Sequence, residues 1–135
     1  MSEAVVKGVA PERGAAALIF VVDDEAMLLE LATVILQPLQ VAIRTFRDPA
    51  AALAAFKTAH PRPALLITDY AMRTMDGMEL ISACRQIEPE QKVLLISGTV
   101  NEDIYHHSPV RPDAFLGKPY RPRQLVEMVE SMLSC

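Results

Sequence analysis

The sequence has no tryptophan, and aromatic residues make up only 5% of its 135 residues. Its two cysteines, Cys84 and Cys135, are too few for a disulfide framework, and a reducing cytoplasm is the simplest setting for them. Basic residues are not in excess, since 13 Lys and Arg against 17 Asp and Glu give a net charge of −4. Nucleic-acid partners are therefore not expected, because binding phosphates requires clustered Lys and Arg.

Long hydrophobic runs are also missing. The longest run near the start, residues 15–22, is far shorter than the roughly 20 residues of a membrane span. It ends in Asp23, Asp24 and Glu25 rather than in a small-residue cleavage site, which favours a buried strand over a signal peptide. We therefore predict a cytoplasmic protein without membrane association. The 51% hydrophobic and 22% charged residues are typical of one globular domain.

Short apolar runs alternate along the chain with segments of helical periodicity. Continuous apolar runs are typical of strands that are covered on both faces of a parallel sheet. The runs predict strands at 18–22, 41–46, 65–68, 92–97 and 114–117, and helices at 26–36, 49–59, 78–87, 100–107 and 121–133. This alternation predicts an α/β fold with a five-stranded parallel sheet and helices on both faces. Residues 1–16 lack periodicity and are predicted to be a flexible leader before a single domain over 17–135.

Polar residues stand where the predicted strands end. Asp23 and Asp24 follow the first strand, Asp69 follows the third, Ser97 ends the fourth and Lys118 follows the fifth. Ligands bind beyond the carboxyl ends of such strands, so we expect these groups to converge. Close carboxylates repel one another and need a cation, and oxygen ligands suit Mg²⁺. With a lysine and a hydroxyl opposite, the set predicts phosphoryl transfer, in which an aspartate can act as nucleophile.

The chain resembles the receiver domains of bacterial two-component response regulators, the CheY-like family, from about residue 16 onward. The matching motifs are LIFVVDDE at 18–25, LLITDY at 65–70, MDGMEL at 75–80, LLISG at 94–98 and AFLGKP at 114–119. The resemblance implies a flavodoxin-like, doubly wound (βα)5 fold. It also implies a signalling protein, not an enzyme acting on other molecules, that takes phosphate from a histidine kinase or phosphotransfer protein.

The resemblance also implies a role for each residue of the site. Asp69 would be the phosphoacceptor. Mg²⁺ or Mn²⁺ would be bound by Asp24, by Asp69 and by the backbone carbonyl of Ala71, with Asp23 acting through a metal-bound water.

Three further positions would respond to the phosphoryl group. Ser97 and Lys118 would contact it, and Phe115 would be the aromatic residue that rotates inward on activation. The Lys118–Pro119 peptide bond would be cis, as it is in the family. Output would pass through contacts with an unknown downstream protein or an effector domain outside this chain, and a homodimer is left open.

The chain departs from the family pattern at three places. Arg73 replaces the usual proline four residues after Asp69, and Ala71 offers no side chain that orients an attacking water. We therefore predict a long-lived acyl phosphate. Pro109 and Pro112 should keep the helix at 100–107 short or irregular.

Two other functions are weighed against phosphoryl-dependent signalling. One is a receiver-like interaction module that works without phosphate, although the complete acidic set with Ser97 and Lys118 speaks against it. The other is a small Mg²⁺-dependent aspartyl-phosphate phosphatase, but Ala71 stands where such enzymes tend to place a second acid. A flavin carrier of the same fold is disfavoured because the first strand leads into acidic residues rather than a phosphate-cradling loop.

Overall fold

The computed structural model describes residues 17–99, 105–106 and 108–134. Within them the strands are β1 (Leu18–Val22), β2 (Ala42–Phe46), β3 (Leu65–Asp69), β4 (Val93–Ser97) and β5 (Ala114–Gly117). The α-helices are α1 (Ala26–Leu36), α2 (Pro49–Thr58), α3 (Gly77–Ile87) and α4 (Pro122–Leu133). A short 3-10 turn, Gln37–Leu39, follows α1 where Pro38 ends the regular helix.

All five strands are parallel and lie in the order β2-β1-β3-β4-β5. The chain first builds the sheet toward β2 and then returns past β1 to build the other side. The order therefore reverses between β1 and β3, and in such sheets ligands bind outside the strand ends at this point. The arrangement confirms the predicted doubly wound parallel sheet.

Two apolar layers cover the sheet, one on each face. Side chains alternate along each strand, so Val21 packs with α1 and α4, whereas Phe20 packs with α2 and α3. The central strands β3 and β4 are buried along their whole length. This explains why both strands are apolar up to the polar residues at their carboxyl ends. The edge strand β2 is only half covered and exposes Arg44 and Thr45.

Local sequence signals start two of the helices. The Asp48 carboxylate accepts a hydrogen bond from the Ala50 amide, and Pro49 occupies the first turn of α2. At α3, Asp76 and Glu79 accept each other's amide hydrogen bonds at 2.9 Å. This reciprocal capping ends the β3–α3 loop at a defined residue.

The predicted element bounds are confirmed to within one residue for the five strands and four helices named above. Asp69 belongs to β3 rather than following it, because it pairs with Ile96 in the sheet. The predicted leader and most of the helix expected at 100–107 lie outside the described residues. Within the described part of the chain, no helix combines the length and apolar character that crossing a membrane requires.

Gly77 is held against the strand that carries Asp69. A β-carbon at this position would lie 2.5 Å from the Asp69 carbonyl oxygen and 2.8 Å from Leu95 Cδ1. We expect Gly77→Ala to lower the free energy of unfolding by about 1–3 kcal/mol, because the Asp69 carbonyl belongs to the backbone of β3 and cannot move away without disturbing the sheet. Urea unfolding followed by circular dichroism measures the change.

Gly117→Ala is the matched control, since its nearest neighbours would be 3.9 Å away. This variant should be as stable as the wild type or slightly more stable. Equal stability of Gly77→Ala and wild type would contradict the close packing.

Candidate functional site

One ammonium group joins two carboxylates at the carboxyl edge of the sheet. Lys118 Nζ lies 2.9 Å from Asp69 Oδ1 and 3.8 Å from Asp23 Oδ2. Asp23 follows β1, Asp69 ends β3 and Lys118 follows β5, so three separate segments meet here. The expected convergence of these three side chains is therefore present in the structure.

Asp24 pairs with a different cation. Its Oδ2 lies 3.7 Å from Nε of Arg73, which belongs to the β3–α3 loop. The charge of Asp24 still reaches the other carboxylates, because it contributes to the pKa values of both Asp23 and Asp69. In the sequence, Arg73 stands out only as a departure from the family pattern, and this ion pair was not predicted. Its position in the loop after the Asp69 strand was the available signal.

Burial raises the pKa values of both acids that contact Lys118. The pKa of Asp23 rises to about 6, chiefly through burial, although the Glu25 amide donates a hydrogen bond to Oδ1 at 3.0 Å and opposes the rise. Burial also raises the pKa of Asp69, against the hydrogen bond and charge of Lys118. The repulsion among the carboxylates adds to both shifts.

Lys118 responds in the way expected of a paired cation. Burial alone would lower its pKa, but the hydrogen bond to Asp69 and the charges of Asp69 and Asp23 raise the pKa above its ordinary value. The lysine therefore stays protonated at neutral pH. It supplies a fixed positive charge beside the Asp69 carboxylate.

The paired groups lie at the polar end of a cavity of about 520 Å³. Its apolar walls come from α1, including Leu28 and Ile35, from Tyr120 ahead of α4, and from Leu125 within α4. Asp23 and Asp69 are themselves buried at this end, and that burial is the desolvation behind their raised pKa values. The same cavity gives a ligand access to Asp69.

Ser97 lies at the end of β4 and is buried. Its hydroxyl oxygen accepts a hydrogen bond from the Thr99 amide at 3.2 Å, a contact that was not predicted from the sequence. The backbone carbonyl oxygen of Ser97 accepts a hydrogen bond from the Lys118 amide at 2.9 Å. This bond fixes the lysine relative to β4.

Two further residues were predicted to belong to the site, Phe115 and Ala71. Phe115 is half-buried on the face of α2 and α3, with its ring centre 6.2 Å from that of Tyr105. Ala71 is exposed in the β3–α3 loop. The Lys118–Pro119 bond is cis, which confirms that expectation.

The donor set suits a hard divalent cation. Within residues 17–99, 105–106 and 108–134, no three side chains of the His, Cys, Asp or Glu type form a ready-made metal cage. Mg²⁺ does not require one, since it binds through one or two carboxylates and keeps several waters. Burial and neighbouring carboxylates raise the pKa values of Asp23 and Asp69. A bound cation would stabilise both groups in the ionised form.

Comparison with known proteins decides the family. A family model described as the response regulator receiver domain matches residues 19–130. The chain belongs to this family. The match includes all or most of every strand and each acidic residue of the site, so the chain carries a receiver domain of the kind found in two-component response regulators.

Individual relatives agree with this assignment. The chain is 39% identical to the response regulator receiver protein CpdR of Brucella abortus over 70 residues, which are 51% of this chain and 58% of CpdR. It is 29% identical to the DNA-binding response regulator MtrA of Mycobacterium tuberculosis over 115 residues, which are 85% of this chain and 50% of MtrA. The chain therefore spans about half the length of these curated relatives.

A solved structure shows the same fold. The CheY-like receiver domain protein of Methanospirillum hungatei superposes with a TM-score of 0.81 at 23% identity, covering 89% of this chain and 95% of that one. The flavodoxin-like receiver fold predicted from the sequence motifs is thereby confirmed.

The raised pKa of Asp23 gives the stability of the domain a pH dependence. The folded state holds the Asp23 proton up to about pH 6, whereas the ordinary pKa is 3.8. As the pH rises through this window, the unfolded chain ionises this residue while the folded state still holds its proton, so the free energy of unfolding falls. With a chelator added to remove divalent metal ions, we expect Asp23→Asn at pH 7 to be more stable than wild type by roughly 1–3 kcal/mol.

Urea unfolding at a series of pH values from 4 to 7 measures both effects. The variant should lose less stability across this range than the wild type, and the remaining slope should come from Asp69, whose pKa shifts in the same direction. A variant that is less stable than wild type at pH 7 would show that the ionised Asp23 stabilises the fold.

Proposed function

We propose that Asp69 is the phosphoacceptor and takes a phosphoryl group from the phosphohistidine of a histidine kinase or phosphotransfer protein. The observation that carries the proposal is the Lys118 ammonium 2.9 Å from Asp69 Oδ1, at the end of a cavity, in a chain of the receiver family. In the transfer, a carboxylate oxygen of Asp69 attacks phosphorus, a P–O bond forms and the P–N bond breaks. The imidazole leaves and takes up a proton.

Lys118 contributes electrostatically to this transfer. Phosphoryl transfer depends mainly on positioning and on stabilising charge on the phosphoryl oxygens. The lysine is held between two acids and remains protonated, so its positive charge is already in place beside the attacking carboxylate. It can pass from the carboxylate to a phosphoryl oxygen without leaving the site.

The proposed metal ligands are the carboxylates of Asp24 and Asp69 and the backbone carbonyl of Ala71, with Asp23 acting through a water. Mg²⁺ or Mn²⁺, when bound, would neutralise charge on the phosphoryl oxygens. The support is the chemistry of the donors, which are all oxygens, and the mutual repulsion recorded in the raised pKa values.

The proposed signal runs from the phosphoryl group to β4 and β5. The Ser97 hydroxyl and Lys118 would contact the phosphoryl oxygens, and Phe115 would change its rotamer. The hydrogen bond between the Lys118 amide and the Ser97 carbonyl supports coupled movement of the two strand ends. A phosphoryl group biases such a two-state element through its differential contacts.

Membership of a signalling family favours this function over the two alternatives, a phosphate-independent module and a phosphatase. We propose a cytoplasmic protein whose output is contact with a downstream protein, an effector domain or a second copy. Because the chain spans about half of its curated relatives, these assignments belong to the proposal.

The first test is phosphorylation of the purified chain. With acetyl phosphate and Mg²⁺, we expect the intact mass of the wild type to increase by one phosphoryl group and that of Asp69→Asn to stay unchanged. Asp48→Asn is the matched control, because asparagine also caps a helix and the residue lies at the start of α2. Beryllofluoride should shift amide NMR signals of β4 and β5 only where Asp69 is present.

Three other outcomes would contradict the proposed function. A mass gain in Asp69→Asn equal to that of wild type would assign the phosphoryl group to another residue. No response of the wild type to either reagent would favour the phosphate-independent module. Repeated turnover of a free phosphoester would favour the phosphatase.

The second test concerns the lifetime of the acyl phosphate. Ala71 is exposed beside the site and its methyl group cannot hydrogen-bond a water. We expect Ala71→Asn to accelerate phosphate release about fivefold, the rate equivalent of one hydrogen bond of about 1 kcal/mol. Release is measured after removal of the phosphodonor.

Ala71→Leu is the control, because leucine matches asparagine in shape without a hydrogen-bonding group. Its release rate should equal that of wild type. An unchanged or slower rate in Ala71→Asn would remove the hypothesis, as would equal acceleration in both variants.

A further inference from the structure

Arg73 reaches from solvent to one of the acids of the site. It lies in the β3–α3 loop, and its Nε is 3.7 Å from Asp24 Oδ2. The arginine side chain is 80% exposed, whereas that of Asp24 is only 20% exposed. An exposed cation thus pairs with a half-buried carboxylate.

This carboxylate is also a metal ligand in the function proposed above, on which the inference rests. An oxygen that is paired with a guanidinium is a poorer ligand for a second cation, because the two positive charges repel at short range. We propose that Arg73 is a built-in competitor for Asp24 that lowers the affinity of the site for Mg²⁺. It thereby sets the metal concentration at which Asp69 becomes reactive.

The size of the effect follows from the exposure of Arg73. A solvent-exposed ion pair is screened and modest, so removing the charge should tighten metal binding about threefold to tenfold rather than by orders of magnitude. Salt should weaken the competition, because the guanidinium lies in water whereas Asp24 lies deeper.

Arg47 supplies a matched comparison. It is exposed after β2 and lines the same surface groove as Asp24 and Arg73. Replacing Arg47 removes the same charge from this groove while leaving the Arg73–Asp24 contact intact. The pair of variants therefore separates a specific contact from a general change in net charge.

The experiment measures metal binding directly on the full chain. Mn²⁺ binding is followed by electron paramagnetic resonance and Mg²⁺ binding by calorimetry, at low and high salt. We expect Arg73→Gln to bind about threefold to tenfold more tightly than wild type at low salt. Arg73→Lys, which keeps the charge, and Arg47→Gln should both stay within about twofold of wild type.

A second measurement reports displacement of the arginine. In wild type, the Nε–H NMR signal of Arg73 should move as Mg²⁺ is added, with the same midpoint as binding. In Asp24→Asn it should not move. Circular dichroism checks that each variant is folded.

The outcomes separate this inference from the function on which it rests. If wild type binds metal and is phosphorylated but Arg73→Gln binds no more tightly, the competition is wrong and the function stands. An equal gain in Arg47→Gln would also overturn the competition, since it would show a general charge effect. Absence of metal binding in every variant would overturn both.

Discussion

The ion pair between Lys118 Nζ and Asp69 Oδ1, 2.9 Å long, is the contact on which the site depends. Parallel strands bring their carboxyl ends to one edge, and here that edge gathers acids from β1 and β3. Burial makes their ionised forms costly, as the pKa of about 6 at Asp23 records. A cation delivered to the same edge offsets part of this cost, and β5 holds it there through the hydrogen bond from the Lys118 amide to the Ser97 carbonyl.

The loop between β3 and α3 is the second determinant of the site. Reciprocal capping by Asp76 and Glu79 defines where α3 begins, and the Gly77 amide donates to the Tyr70 carbonyl at 2.8 Å. A loop tied down at this end has a defined course past the acids. The guanidinium of Arg73 consequently pairs with Asp24, while the ammonium group of Lys118 pairs with Asp23 and Asp69. The site thus contains two cationic side chains of unequal exposure. A negatively charged phosphoryl group is attracted by them, whereas a positively charged metal ion is repelled.

Much of the fold was predictable because its signals are local. Buried parallel strands read as continuous apolar runs, and proline or capping acids mark where helices begin or end, as Asp48 and Pro49 do for α2. The acids and the lysine were also identifiable, since a polar residue directly after an apolar strand belongs to the ligand-binding edge. The Arg73–Asp24 pair and the Thr99 amide bond to Ser97 were not, because they depend on loop conformations with no periodic pattern.

Residue order alone was enough to establish the alternation of strands and helices, the family and the chemical types of group at the strand ends, because these properties are local or are carried by short motifs. Residue order did not establish which cation faces which acid, how deeply Asp23 is buried, or that a cavity of about 520 Å³ opens beside Asp69. Those properties are distances between segments far apart in the chain. They come into existence only when β1, β3 and β5 are aligned in one sheet and α1 and α4 close over its face.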